Sequence, residues 1–150
     1  MNHALAVDAS IAVKWVVAEE FADQALKLWT DSVADDRAIV APPHFAGEVT
    51  NAIYQRLRST DPARHLDHIE ADRALTGFLR YPVEITIPPD MYRRAFEFAC
   101  DHTLPSVYDS LYVVLAQMLD IELWTADGRL LDAVGQAAPW VRFIGDYPLR

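Results

Sequence analysis

The sequence predicts an α/β fold, a central mostly parallel sheet of about five strands layered between helices. Three observations predict it. Short apolar runs alternate with helical stretches along the whole chain, the pattern left by strands joined through crossover helices. The first runs are apolar throughout, as expected of strands buried on both faces. The chain has 150 residues, 52% hydrophobic and 23% charged, which suits one soluble domain over 1–150 with a sizeable core.

The elements follow in order. "ALAV" (4–7) is the first strand. Ser10 opens a helical stretch, "IAVKWVVAEE". A second amphipathic helix runs from Phe21 to about Val33, with Phe21, Ala25, Leu28 and Trp29 on one face. "AIVA" (38–41) is the second strand; Pro42 and Pro43 end it, and a helix follows through about Leu57. Asp61 and Pro62 have the chemistry of an N-cap and first helical residue, so a helix is expected from there to about Leu79. "VEITI" (83–87) alternates as a strand does. Pro88 and Pro89 start the helix "DMYRRAFEFACDH". "PSVYDSLYVVLAQML" is the most apolar helix and reads as central. "ELWTA" is a strand, "DGRLLDAVGQ" a helix and "WVRFI" the last strand.

Composition excludes several classes. No apolar run reaches the roughly 20 residues that span a bilayer, and Asp8 interrupts the N-terminal apolar run too early for a signal peptide. Cys100 is the single cysteine, so neither an intrachain disulfide nor a cysteine-based metal site is available. A cytoplasmic protein is expected. The net charge of −9 argues against nonspecific binding to a phosphate backbone, though a bound divalent cation would reverse the local field. A P-loop, a Gly-rich dinucleotide turn and Gly-x-Ser-x-Gly are all missing.

Four acids carry the chemistry: Asp8, Glu48, Asp109 and Asp127. In open α/β sheets ligands bind beyond the carboxyl ends of the strands. Asp8 and Asp127 end strands there, and Glu48 and Asp109 reach the same edge from helices that begin near it. Carboxylates gathered at one edge repel one another unless a cation lies among them. Mg²⁺ or Mn²⁺ suits such hard oxygen ligands, and a metal so held can activate water against a phosphodiester. Singly, each acid has a blander reading. Asp8 and Asp127 can cap helices, and Glu48 can serve a helix macrodipole. Asp109 is harder to explain so, because an unpaired carboxylate in an apolar helix is costly to bury.

The set resembles the PIN-domain ribonucleases, most closely the VapC toxins of toxin–antitoxin pairs. The matching segments are "VDASIAVKW" (7–15), "EVTNA" (48–52), "YDSLYVVLA" (108–116) and "TADGRL" (125–130), in the family's order. The resemblance implies a PIN-like three-layer α/β/α sandwich and a Mg²⁺- or Mn²⁺-dependent endoribonuclease. Asp8 and Asp109 are then the main metal ligands, with Glu48 and Asp127 acting through waters or a second ion. Ser10 and Thr125 resemble the family's small polar residues beside the first and last acids. Asn51, one helical turn after Glu48, is positioned to orient a carboxylate or a water. The implied partners are an RNA substrate, a cognate VapB-type antitoxin and a second copy of the chain, with the apolar faces near 21–29 and 45–57 as candidate dimer surfaces. Two features depart from the commonest pattern: Gly128 and Arg129 stand where a lysine often follows the last acid, and "HTLPSV" carries no arginine. Both bear on substrate contacts rather than on the metal.

Lys14, Arg56 and Arg58 are candidate RNA contacts, set against ordinary surface charge. Trp15, Trp29 and Tyr54 can stack on bases or pack inward. Glu19, Glu20, Asp31, Asp35 and Asp36 read as solvated surface, and His44 as structural or at the edge of the site. The alternatives are a catalytically inactive PIN-like interaction module and a haloacid-dehalogenase-type phosphatase. The latter needs a second Asp two residues after the first, where this chain has Ser10.

Overall fold

The computed structural model describes residues 3–150. Five strands form one sheet: β1 (Ala4–Val7), β2 (Ala38–Ala41), β3 (Glu84–Ile85), β4 (Leu123–Thr125) and β5 (Val141–Phe143). Every pairing is parallel, in the order β3-β2-β1-β4-β5. Leu5 stands opposite Ile39 and Ala6 opposite Leu123. Successive strand residues face opposite sides, yet Leu5, Ala6 and Val7 are all fully buried. The central strand is therefore covered on both faces, and its uniformly apolar sequence is the reason it can be.

The helices are α1 (Ala9–Val16), α2 (Ala22–Ala34), α3 (Phe45–Arg58), α4 (His68–Phe78), α5 (Met91–His102), α6 (Val107–Leu119) and α7 (Gly128–Val134). One group packs α1 against α2, α3 and α4; the other packs α5 against α6, which also contacts β1. The result is the three-layer α/β/α arrangement. None of the described helices is long and apolar enough to cross a membrane.

The order of the strands positions the site. From β1 the chain moves outward through β2 to β3, then crosses back to β4 on the other side of β1 and on to β5. The direction of winding changes between β1 and β4, and a crevice opens at their carboxyl ends. Asp8 follows β1 directly, and Asp127 lies two residues past β4.

Several element boundaries differ from the sequence reading. The first helix stops at Val16 rather than running on to Glu20, because Val17 is extended and Glu19 turns back toward Lys14 and Arg56. Phe21 precedes α2 instead of beginning it, in the left-handed region at φ 63°, with its ring edge-on to Phe143. The helix expected from Asp61 starts instead at His68. Asp67 caps it through a reciprocal box: Glu70 N–H donates to Asp67 Oδ1 at 2.8 Å and Asp67 N–H to Glu70 Oε2 at 2.8 Å. Asp61 caps only a local turn, accepting from Ala63 N–H at 3.0 Å. Of "VEITI", only Glu84 and Ile85 pair, as a short exposed edge. Helix α5 begins at Met91 after Asp90, which is left-handed at φ 71°.

The two stretches proposed as dimer faces are largely spent on the chain's own core. Ala25, Leu28, Phe45, Val49 and Ile53 are buried, while Trp29 joins Trp15 and Tyr81 in an aromatic cluster with ring centroids 4.7–5.3 Å apart. Trp15 is thereby a core residue, its indole N–H donating to Ala25 O at 3.1 Å.

Candidate active site

The carboxyl ends of β1 and β4 are tied together by hydrogen bonds among five residues, Asp8, Ser10, Thr125, Ala126 and Asp127. Asp8 caps α1: its Oδ1 accepts from Ser10 N–H at 3.1 Å and from Ser10 Oγ–H at 2.5 Å. Its Oδ2 accepts from the Thr125 hydroxyl. Ser10 Oγ in turn accepts from Ala126 N–H, and Thr125 Oγ1 from Asp127 N–H, both at 2.9 Å. The end of one strand is thus tied to the end of its neighbour through two hydroxyls. Ser10 and Thr125 stand where the sequence reading put them.

Asp8 is buried, and that burial pushes its carboxyl up to about 6. The bonds from Ser10 and Thr125 pull the other way and lose, and the negative charge of Asp127 adds to the rise. A carboxylate held by neutral donors in a dry setting lacks a counter-charge.

Asp127 is the N-cap of α7, and its Oδ1 accepts from Arg129 N–H at 3.0 Å and Leu130 N–H at 3.3 Å. The cap uses Oδ1 alone. Asp109 sits in the first turn of α6 behind the Ser106 cap. Its carboxyl is also raised, first by burial, then by Asp127 and Glu48, against the opposing Arg129 and His44. Asp109 and Asp127 line one small cavity of about 110 Å³ with Leu104, Pro105, Arg129, Leu130 and Ala133.

Glu48 is gripped from two elements. The Tyr112 hydroxyl donates to Oε1 at 2.6 Å from α6, and His44 Nε2 lies 3.2 Å from the same oxygen, one turn earlier along the chain. The His44 contact is poorly angled: neither of its buried ring nitrogens has a well-formed hydrogen bond. Burial alone would raise the Glu48 carboxyl, but the contacts from His44 and Tyr112 outweigh it and hold it below its ordinary range. Burial, with the adjoining Glu48, pushes the Tyr112 phenol far up, so it stays a donor. Sequence reading missed Tyr112. Its one signal was position, a helical turn past Asp109 and so on the same face. Asn51, expected to orient a carboxylate or a water, is exposed; the side chain that donates to Glu48 is Tyr112.

Two of the three basic candidates are corrected. Lys14 Nζ bonds Glu19 Oε1 at 2.8 Å, and Arg56 pairs with the other oxygen of Glu19. Both cations have 9% of the side chain exposed, so they form an internal ion-pair cluster rather than an RNA surface. Glu19 is correspondingly not a solvated acid, and Asp31 bonds both Lys27 at 2.5 Å and the Tyr147 hydroxyl at 2.7 Å. Arg58 remains exposed, its guanidinium 6.0 Å from the ring centre of Tyr54.

Among the described residues, no three His, Cys, Asp or Glu side chains converge tightly enough to enclose a bare metal ion. The four acids nonetheless form an electrostatic chain, since Asp127 acts on Asp8 and Asp109, and Glu48 acts on Asp109. All the donors are hard oxygens. That donor set, spaced around a crevice, fits a cation such as Mg²⁺ that keeps several waters and takes one or two carboxylates directly.

Comparison with known proteins places the chain in a family. Residues 5–136 match the PIN domain family. A protein named Ribonuclease VapC12 from Mycobacterium tuberculosis, found in two strains, is 37% identical over 100 residues, covering 65% of this chain and 70% of its own. The crystal structure of PAE2754 from Pyrobaculum aerophilum superposes with a TM-score of 0.65 over 95% of this chain and 92% of that one, at 20% identity. At that identity the likeness extends to the fold alone.

Proposed function

The chain belongs to the PIN-domain family and is a VapC-type toxin endoribonuclease; on that premise we propose that its acidic crevice holds Mg²⁺ or Mn²⁺ and hydrolyses RNA phosphodiester bonds with a water activated there. The observation that carries this reading is Asp8, a buried carboxylate with neutral donors on both oxygens and its pKa up at about 6. Both of its oxygens accept only from neutral groups while Asp127 adds negative charge, and burial, Asp127 and Glu48 raise Asp109 in the same way; a cation among these oxygens would offset that charge.

Asp8 and Asp109 are the direct ligands in this reading, and Glu48 and Asp127 act through waters or a second ion. Bound there, the cation supplies a nucleophilic water near neutral pH and offsets charge on the phosphodiester. The chain's own residues fix the ligands. Ser10 and Thr125 set the plane of the Asp8 carboxylate. Asp127 commits Oδ1 to the cap of α7, which reserves Oδ2 for a water. Glu48 commits Oε1 to Tyr112 and His44, which reserves Oε2. Arg129, beside Asp127 in the cavity wall, is a candidate for the phosphate of the substrate.

The reading extends to one PIN domain over 1–150, a cytoplasmic location, a homodimer and a VapB-type antitoxin whose C-terminal segment occupies the crevice. An arginine from that partner suits the carboxylates, because guanidinium matches carboxylate geometry. The test is RNA cleavage with and without Mn²⁺ or Mg²⁺, by wild type and by Asp8→Asn. Metal-dependent cleavage by wild type and its loss in Asp8→Asn are expected. Equal cleavage by the two proteins sinks the metal mechanism, and cleavage unaffected by the neighbouring gene product sinks the antitoxin.

A further inference from the structure

We propose that Tyr108, backed by His44, forms a stacking subsite for a nucleobase of single-stranded RNA at the rim of the acidic crevice; the proposal rests on the ribonuclease reading and names how that site holds its substrate. Tyr108 immediately precedes Asp109 in the first turn of α6. The residue is 61% exposed, and its phenol makes no hydrogen bond among the described residues. Its backbone is nevertheless fixed, since Ser106 Oγ accepts from Tyr108 N–H at 3.0 Å.

The ring is backed from inside. His44 lies 5.3 Å from it between centroids, and Tyr112 lies 4.7 Å beyond His44. Tyr112 is 2% exposed, so three rings run in a row from core to rim. This row is tied to the chemistry at its inner end, where His44 and Tyr112 both meet Glu48 Oε1. A base resting on Tyr108 would thus lie beside the acids rather than elsewhere on the surface.

The charge of the molecule makes such a contact useful. With a net −9 and four carboxylates at the crevice, the phosphate backbone gains little attraction from this surface away from a bound cation. Stacking is indifferent to charge and tolerant of base identity, because every base has a π-face. Tyr supplies that surface with few rotatable bonds to freeze. Lys14 and Arg56, two of the three basic contacts expected from sequence, are consumed inside the fold, and the third, Arg58, lies at the far end of α3 from Glu48, which leaves the exposed Tyr108 as the better-placed handle next to Asp109.

The test measures binding by fluorescence anisotropy, without added Mg²⁺ or Mn²⁺ so that cleavage does not intervene. The probes are a fluorescein-labelled single-stranded oligoribonucleotide and the same oligomer made abasic throughout. Wild type and Tyr108→Phe are expected to prefer the base-bearing oligomer by about tenfold. Tyr108→Ala is expected to lose that preference while keeping the wild-type melting temperature, since the ring is mostly outside the core. Preference retained by Tyr108→Ala, absent from wild type, or lost together with binding to the abasic oligomer overturns the subsite. Failure of the ribonuclease reading registers separately, as no Mn²⁺-dependent cleavage by wild type.

Discussion

Asp8 accepts hydrogen bonds from Ser10 and Thr125 and still titrates at about 6, because burial outweighs them. The consequence for stability has a definite sign. The folded value lies above the unfolded 3.8, so between the two the folded chain holds the proton more tightly. Stability from this group is greatest below about pH 4, falls as the pH rises to about 6, and is flat beyond, a loss of about 3 kcal/mol. Asn in its place removes the charge, and both hydroxyls can turn to suit an amide. Without divalent ions, Asp8→Asn should therefore be more stable than wild type near neutral pH, by about 1–3 kcal/mol, with the gap closing toward about pH 4. Urea unfolding across that range checks it; a wild type as stable as the variant at neutral pH refutes it. At this scale the sequence was uneven. Asp8, Ser10 and Thr125 were legible because short motifs hold them. Tyr112 was not, because its hydroxyl reaches Glu48 across 64 positions of chain. Glu19 misled for the same reason: in "VVAEE" it reads as solvent-facing, and only the approach of α3 brings Arg56 to it.

Elements were readable where one signal stood alone and misread where two competed. The segment before α4 offers both Asp61-Pro62, an N-cap with a favoured first residue, and Asp67 with Glu70 three positions on. The second pattern satisfies two free N–H groups reciprocally, and both of its bonds form at 2.8 Å. The first is held off the helix by tertiary contact, since Leu66 N–H donates to Arg56 O at 3.1 Å. Asp67→Ala should cost about 1 kcal/mol in urea unfolding, whereas Asp61→Ala, which loses one exposed turn contact, should cost less than about 0.5 kcal/mol. Equal costs would mean that the capping box is not what begins α4. The short strand β3 follows a related logic. Alternation in "VEITI" marks a strand correctly, but an edge strand pairs on one side only, and here just two residues find partners on β2.

For the whole molecule, four acids from positions 8 to 127 come to one edge because the winding reverses between β1 and β4. The acids and their mutual repulsion were visible in sequence; which of them act on one another, Asp127 on Asp8 and Asp109 and Glu48 on Asp109, was not, since it depends on which elements become neighbours. A cation in the crevice would bridge the ends of β1 and β4 to the starts of α3 and α6, so it should stabilise the fold as one unit rather than one loop. Binding to the folded state alone adds about 2.7 kcal/mol at roughly 100 times the dissociation constant, which for a chain of this size raises the melting temperature by about 5–10 °C. The pH dependence follows from Asp8 and Asp109, both reluctant to ionise without a cation. Mn²⁺ competes with the proton for these groups, so its stabilisation should be full at about pH 7 and much reduced at about pH 5. It should reverse on adding EDTA and shrink in Asp8→Asn. Melting curves with and without Mn²⁺ at both pH values decide it: a Mn²⁺ shift equal in wild type and Asp8→Asn would place the ion elsewhere on this acidic surface, and Asp8 would then be a capping residue and nothing more.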